Sequence, residues 1–90
     1  MLNSPNSETP IRTTFDLGRE IRLRRKAQKM RIDDAAALCG VSVGLLSRLE
    51  NGHSGVSSER LLKVLQGLGL ELLVVPSERL AEFPRRRSTP

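Results

Sequence analysis

One cysteine and one histidine are all that the 90 residues hold of the two side chains most used for metal and thiol chemistry. A single thiol excludes an internal disulfide framework and fits a reducing compartment. Cys39 and His53 cannot by themselves make up a metal-ligand set, so no metal and no cofactor are expected. Long apolar runs are missing too. None approaches the roughly 20 residues that cross a bilayer, and Met1-Leu2-Asn3-Ser4-Pro5 has no basic region followed by an apolar one, so neither a span nor a leader is expected. No glycine-rich loop follows a strand and opens a helix: Gly67 and Gly69 come after a helical pattern. A serine nucleophile would have only His53 to orient it, and no strained nucleophile turn is visible. Catalysis is therefore not expected.

What the chain does hold is positive charge. Fifteen Lys and Arg stand against ten Asp and Glu, a net charge of +5, with a pI near 10.7. That balance favours a polyanionic partner, nucleic acid ahead of an anionic membrane surface. A chain of this length makes one small domain, and small domains often lean on a second copy for stability. The expected compartment is the cytoplasm, in association with the nucleoid.

The pattern divides the chain into an N-terminal arm (1–13) rich in Ser, Asn, Thr and Pro, a domain (14–76), and a basic C-terminal tail (77–90). A first helix, capped by Asp16 or Thr14, turns Leu17, Ile21 and Ala27 inward and crowds arginine and lysine over the rest of its surface. A second runs from about Ile32 to Cys39, with Ala35, Ala36, Leu38 and Cys39 available for packing, and Gly40 stops it. Cys39 is expected to be a buried, inert small hydrophobe. Ser42 caps a third helix with Leu46 and Leu49 inside; Leu45 is ranked as core first, then a thymine contact, then a protein-facing patch. Ser57 or Ser58 caps a fourth helix carrying Leu61, Leu62, Val64, Leu65 and Leu68. The run Leu70-Glu71-Leu72-Leu73-Val74-Val75, closed by Pro76, reads as a strand. A lone apolar strand is an aggregation hazard unless it pairs with the same strand of a second copy, so Leu70, Leu72, Leu73, Val74 and Val75 are the expected dimer contacts. A short helix over residues 77–83 and a solvated Arg85–Arg87 run, or a minor-groove arm in its place, complete the chain. The expected class is all-α, four to five helices with one short C-terminal strand.

Two short helices around a tight turn are the layout of a double-stranded DNA reader. At the start of the third helix, Ser42 can donate to a phosphate, Val43 can touch a thymine methyl, and Gly44 permits close approach. Ser47 and Arg48 can bond base edges or backbone, and Arg48 is the best candidate for reading guanine. Phosphate grip is expected from Arg31, Asn51, His53 and some arginines of the first helix. Two third helices of a dimer, about one duplex turn apart, would match an inverted repeat.

At Leu17, Ile21, Arg25, Met30, Ala36, Gly40-Val41-Ser42, Leu46-Ser47-Arg48 and Glu50-Asn51-Gly52 the chain resembles the Xre, or lambda-repressor-like, helix-turn-helix domains. The resemblance implies an ion pair between Arg25 and Glu50 and DNA-facing roles at Ser42, Val43, Gly44, Ser47, Arg48 and Asn51. A solvated pair is the plainer alternative for Arg25 and Glu50; the structural bridge is favoured, because arginine makes a forked contact with a carboxylate. The chain departs from the family at the start of the second helix, where Arg31 and Ile32 replace a small polar cap and a Gln, and Asp33 opposes a phosphate backbone. The fourth helix running into one apolar strand is similar to the HipB-type antitoxins. That resemblance implies a dimeric repressor of its own promoter and a HipA-like kinase toxin as partner. A free-standing Xre-type regulator is the alternative, and a protein-only adaptor a third.

Overall fold

The computed structural model describes residues 9–82. Four α-helices follow one another, α1 (Thr14–Ala27), α2 (Ile32–Cys39), α3 (Val43–Glu50) and α4 (Ser58–Gly67), and a 3₁₀ helix spans Ser77–Glu82. Arm residues 1–8, Phe83 and the Arg85–Arg87 run lie outside the described residues.

Thr13, rather than Asp16 or Thr14, caps α1. Its hydroxyl accepts from the Asp16 N–H at 3.0 Å, while the Asp16 carboxylate accepts from the N–H groups of Arg12 (2.9 Å) and Thr13 (3.2 Å). This reciprocal box satisfies N–H groups that the first turn leaves without partners. The Arg12 N–H is the main reason the Asp16 carboxyl is held below its ordinary range. The sign is that of a depressed acid: its share of stability is present above the ordinary carboxylate value and is lost as pH falls through the lowered one. Thr14 is freed for a tertiary role, and its hydroxyl donates to the Gly52 carbonyl at 2.6 Å, tying the start of α1 to the turn after α3.

The α2 bounds agree with the sequence reading because both ends are locally coded. Asp33 and Asp34 occupy its positive first turn, and Gly40, at φ 75°, takes the left-handed conformation that ends it. Helix α3 begins at Ser42, whose hydroxyl accepts from the Leu45 N–H at 3.0 Å, and α4 at Ser57, which accepts from the Arg60 N–H at 3.2 Å.

Ile21, Leu46, Val64 and Leu68 form the fully buried centre, joined by Ala35, Ala36, Cys39, Leu45, Leu49 and Leu65. Leu45 is thus core, and Leu17 is half-buried against it. Three inward assignments are corrected. Ala27 is exposed, Leu38 is 58% exposed and Leu62 42%. On α2 the residues Ile32, Ala35, Ala36 and Cys39 share one stripe at about 100° per residue, and Leu38 falls beyond its edge. Cys39 donates its thiol to the Val64 carbonyl at 3.6 Å, and burial pushes its pKa up, so it stays a neutral thiol at neutral pH.

The strand expected over residues 70–75 is absent among the described residues, which contain no strand. A ladder needs a second segment bonded alongside, and among the described residues none pairs with 70–75. Leu72, Leu73 and Val74 are accordingly 60%, 72% and 86% exposed. Beyond them the short helix anticipated after Pro76 is present as the 3₁₀ segment, opened by an Arg79 N–H to Pro76 carbonyl bond of 2.9 Å.

Two glycines are packing positions. A Cβ on Gly67 would meet the Cys39 sulfur, and a Cβ on Gly18 would overlap the Leu49 and Glu50 carbonyls, where α1 crosses α3. Backbone cannot rotate out of the way as a side-chain tip can. Gly18→Ala is therefore expected to cost about 1–3 kcal/mol as an overpacking change, although alanine is the better helix former. Thermal unfolding checks it, and an unchanged or raised Tm contradicts the close crossing.

Candidate nucleic-acid interface

Helices α2 and α3 are joined by Gly40-Val41-Ser42 alone. The left-handed Gly40 reverses the chain, the Val41 N–H returns to the Ala36 carbonyl at 3.0 Å, and half-buried Val41 packs on the core. The turn is thereby held from both sides.

Helix α3 has two faces of opposite character. Leu45, Leu46, Leu49 and Glu50 are buried, whereas Val43, Gly44 and Arg48 are exposed and Ser47 is half-buried. At about 100° per residue, positions 43, 44, 47, 48 and 51 fall on the outer arc and 45, 46, 49 and 50 on the inner one. Exposed Asn51 ends the helix, and its side-chain amide donates to the Ser47 carbonyl at 2.8 Å. Gly52 follows at φ 80°, and the exposed His53 donates its backbone N–H to the Arg48 carbonyl at 2.9 Å. Ser42, Val43, Gly44, Ser47, Arg48, Asn51 and His53 therefore make one continuous stretch of surface from the cap of α3 to the turn beyond it.

Arg31 stands apart from that arc, at the start of α2. Its guanidinium meets Asp33 through two contacts of 3.3 Å, and Asp33 also accepts from the Asp34 N–H at 2.9 Å. Such an exposed pair contributes at most about 1 kcal/mol, so a phosphate can displace it. While the pair stays closed it offsets the repulsion that Asp33 would exert on a nucleic-acid backbone, and opening it to bind a phosphate gives up that offset.

Arg25 and Glu50 are buried rather than solvated. Nε and one terminal nitrogen of Arg25 reach the two Glu50 carboxylate oxygens at 2.7 and 2.9 Å, and the other terminal nitrogen donates to the Met30 carbonyl at 2.8 Å. The Glu50 hydrogen bond raises the Arg25 pKa further above its ordinary value. One side chain of α1 thus holds the end of α3 and the approach to α2 together, which sets the angle at which the outer arc is presented. Arg24 does similar work at the far end, donating to the Leu68 carbonyl at 2.7 Å and so tying α1 to the end of α4.

Sequence reasoning missed Gly18, the Thr14 to Gly52 bond and the Arg24 to Leu68 bond. A glycine inside an otherwise helical pattern was the one available signal, since it costs about 1 kcal/mol there and asks for a packing reason. The two hydrogen bonds join residues far apart in the chain and leave no local trace.

A tight turn between two helices, a buried strut behind the second, and an uncovered small-and-basic face on its front define a helix-turn-helix domain. Residues 21–75 match the helix-turn-helix family. An uncharacterized HTH-type transcriptional regulator, y4mF, from Sinorhizobium fredii is 36% identical over 70 residues, covering 77% of this chain and 92% of the relative. The chain belongs to the helix-turn-helix family of DNA-binding regulators. Among solved structures, a complex of a HipB variant with an O2 20mer is similar with a TM-score of 0.72, 21% identity, and coverage of 79% of this chain and 99% of the other. The HipA–HipB–O2–O3 complex gives 0.69, 20%, 76% and 96%. At these identities the likeness is one of fold. Among the described residues no group of three or more His, Cys, Asp or Glu is placed to hold a metal, and no helix is long and apolar enough to cross a membrane.

Proposed function

We propose that this helix-turn-helix protein is a transcriptional repressor that binds an inverted-repeat operator in its own promoter as a homodimer and acts as the antitoxin of a HipA-like kinase toxin. The observation that carries the DNA reading is the two-faced α3, with Val43, Gly44, Ser47, Arg48 and Asn51 turned outward from a fully committed inner face. In this reading Arg48 and Ser47 read base edges, Val43 contacts a thymine methyl, and Gly44 admits the helix to the groove. Arg31, Ser42, Asn51 and His53 hold phosphate.

The dimer rests on the exposed Leu72, Leu73 and Val74, an apolar segment without a ladder that a second copy can complete, with Leu70 and Val75 flanking it. Pairing there would create the strand that one chain lacks. The toxin partnership is supported by the fold shared with the HipA–HipB–O2–O3 complex. In this scheme residues 14–76 are the DNA-binding and dimerising unit, in the cytoplasm, on the nucleoid. A free-standing regulator without a toxin is the second reading, favoured by the regulator y4mF.

Two measurements test this. A mobility-shift titration of the protein on its own promoter is expected to lose affinity steeply between two salt concentrations, because each neutralised phosphate releases counterions. Co-expression with the neighbouring gene is expected to yield a stable complex. No complex, with DNA binding retained, leaves the free-standing regulator; no salt-sensitive shift overturns the DNA reading.

A further inference from the structure

The sequence gives some arginines of the first helix a share in phosphate grip without saying which, and one charged feature of the surface decides it. One side of α1, from Phe15 to Arg22, and the C-terminal end of α3 flank an open cleft lined by Phe15, Arg19, Arg22, Glu50 and Asn51. Its charges do not cancel. Both Glu50 oxygens are taken by Arg25, so the only carboxylate lining the cleft is already neutralised. Arg22 is exposed, and among the described residues its side chain enters no ion pair or hydrogen bond. Arg19 is exposed as well; it meets Asp16 only at 3.5 Å, and that carboxylate is engaged in the helix cap. Phe15 is 70% exposed although it packs on Gly52, so it adds an apolar wall beside two guanidinium groups.

We propose that this cleft is a second seat for the DNA backbone, in which Arg19 and Arg22 neutralise phosphates flanking the base-reading site and the Phe15 ring packs on the sugars between them. Resting on the DNA-binding reading, it assigns the α1 share of phosphate grip to two named arginines and adds the Phe15 ring. Asn51 is the link: it ends the outer arc of α3 and also lines the cleft, so a strand running past Asn51 meets the two arginines next. An alternation of charge and apolar surface suits a sugar–phosphate chain. Contacts of this kind position the protein and carry no sequence information.

The test compares the Arg19→Gln/Arg22→Gln variant with the parent on promoter DNA and on a scrambled duplex, at several salt concentrations. A charge-matched variant, Arg60→Gln/Lys63→Gln, removes two exposed cations from α4. Each lost phosphate contact is expected to lower the slope of log affinity against log salt by about 0.9. The α1 variant should therefore lose one to two such steps, weaken equally on both duplexes, and keep its preference for the promoter. Equal slope losses in the α1 and α4 variants would reduce the effect to net charge and overturn the proposal. An unchanged slope in the α1 variant, while Arg48→Ala still weakens binding, overturns it and leaves the base-reading site standing. An unchanged slope with loss of a protein complex overturns it in favour of an acidic protein surface.

Discussion

Arg48→Ala is expected to lower affinity for the promoter about tenfold to a hundredfold and to erase most of the preference for it over a scrambled duplex. A bidentate arginine contact with guanine is worth about 1–3 kcal/mol of discrimination, and every 1.4 kcal/mol or so is a factor of ten. Folding should be untouched, since the side chain is exposed and sits opposite the buried arc of α3. Ser47→Ala added to it should deepen the loss, because the half-buried hydroxyl lies on the same arc, one turn from Val43 and adjoining Arg48. The two kinds of contact separate cleanly in a titration: loss of a base contact relaxes selectivity, whereas loss of a phosphate contact weakens all sequences alike. A double variant that binds as tightly and as selectively as the parent would remove the base-reading role from α3.

The second large effect is on stability. Glu50→Ala removes one half of a buried pair and leaves a guanidinium that is 10% exposed facing no acid. Arginine cannot shed its proton to escape, and the variant also removes the acid that holds its pKa up in the parent. Breaking such a pair costs about 3–5 kcal/mol, a large part of the roughly 5–15 kcal/mol that holds a small domain together. Arg25→Ala should do comparable damage, because it strands the carboxylate and also removes the donor to the Met30 carbonyl. Replacing both partners with apolar residues of similar volume, Arg25→Met with Glu50→Leu, should restore most or all of the loss, since neither ion is then left buried alone. Thermal or urea unfolding of the three variants is the measurement. A Glu50→Ala protein that melts with the parent would show that the pair contributes nothing to the architecture.

These two residues also mark how far the chain can be read without its structure. Resemblance to a family linked Arg25 with Glu50, but residue types alone could not distinguish a solvated pair from a buried fork. Burial depends on how closely α1 lies on α3, and that approach rests on Gly18, where a Cβ would strike two carbonyls. The α1 cap shows a milder limit. Thr13, Thr14 and Asp16 can each cap a helix, and the reciprocal bonds of Thr13 with Asp16 leave Thr14 to reach Gly52 instead. Leu38 and Leu62 read as interior from the sequence because they are leucines near an apolar stripe, yet both are exposed. The stripe is wider than the contact, and neighbouring helices decide which of its edges is covered.

Residues 70–76 were beyond reach for a different reason. Alternation and β-branching encode a readiness to extend, but a strand is a relation between two segments, and the second is absent from the chain's described residues.

Where α2, α3 and their turn begin and end, and which positions of α3 face outward, are legible from the residues alone. Capping hydroxyls, a left-handed glycine and a 3.6-residue period act within a few residues, so they are written locally. That Arg25 is a buried strut, that Gly18 is a contact point, and that Arg19, Arg22 and Phe15 open onto one cleft with Asn51 emerges from the packed helices. Those outcomes depend on the distance and angle between helices, which arise from the packing of all of them at once.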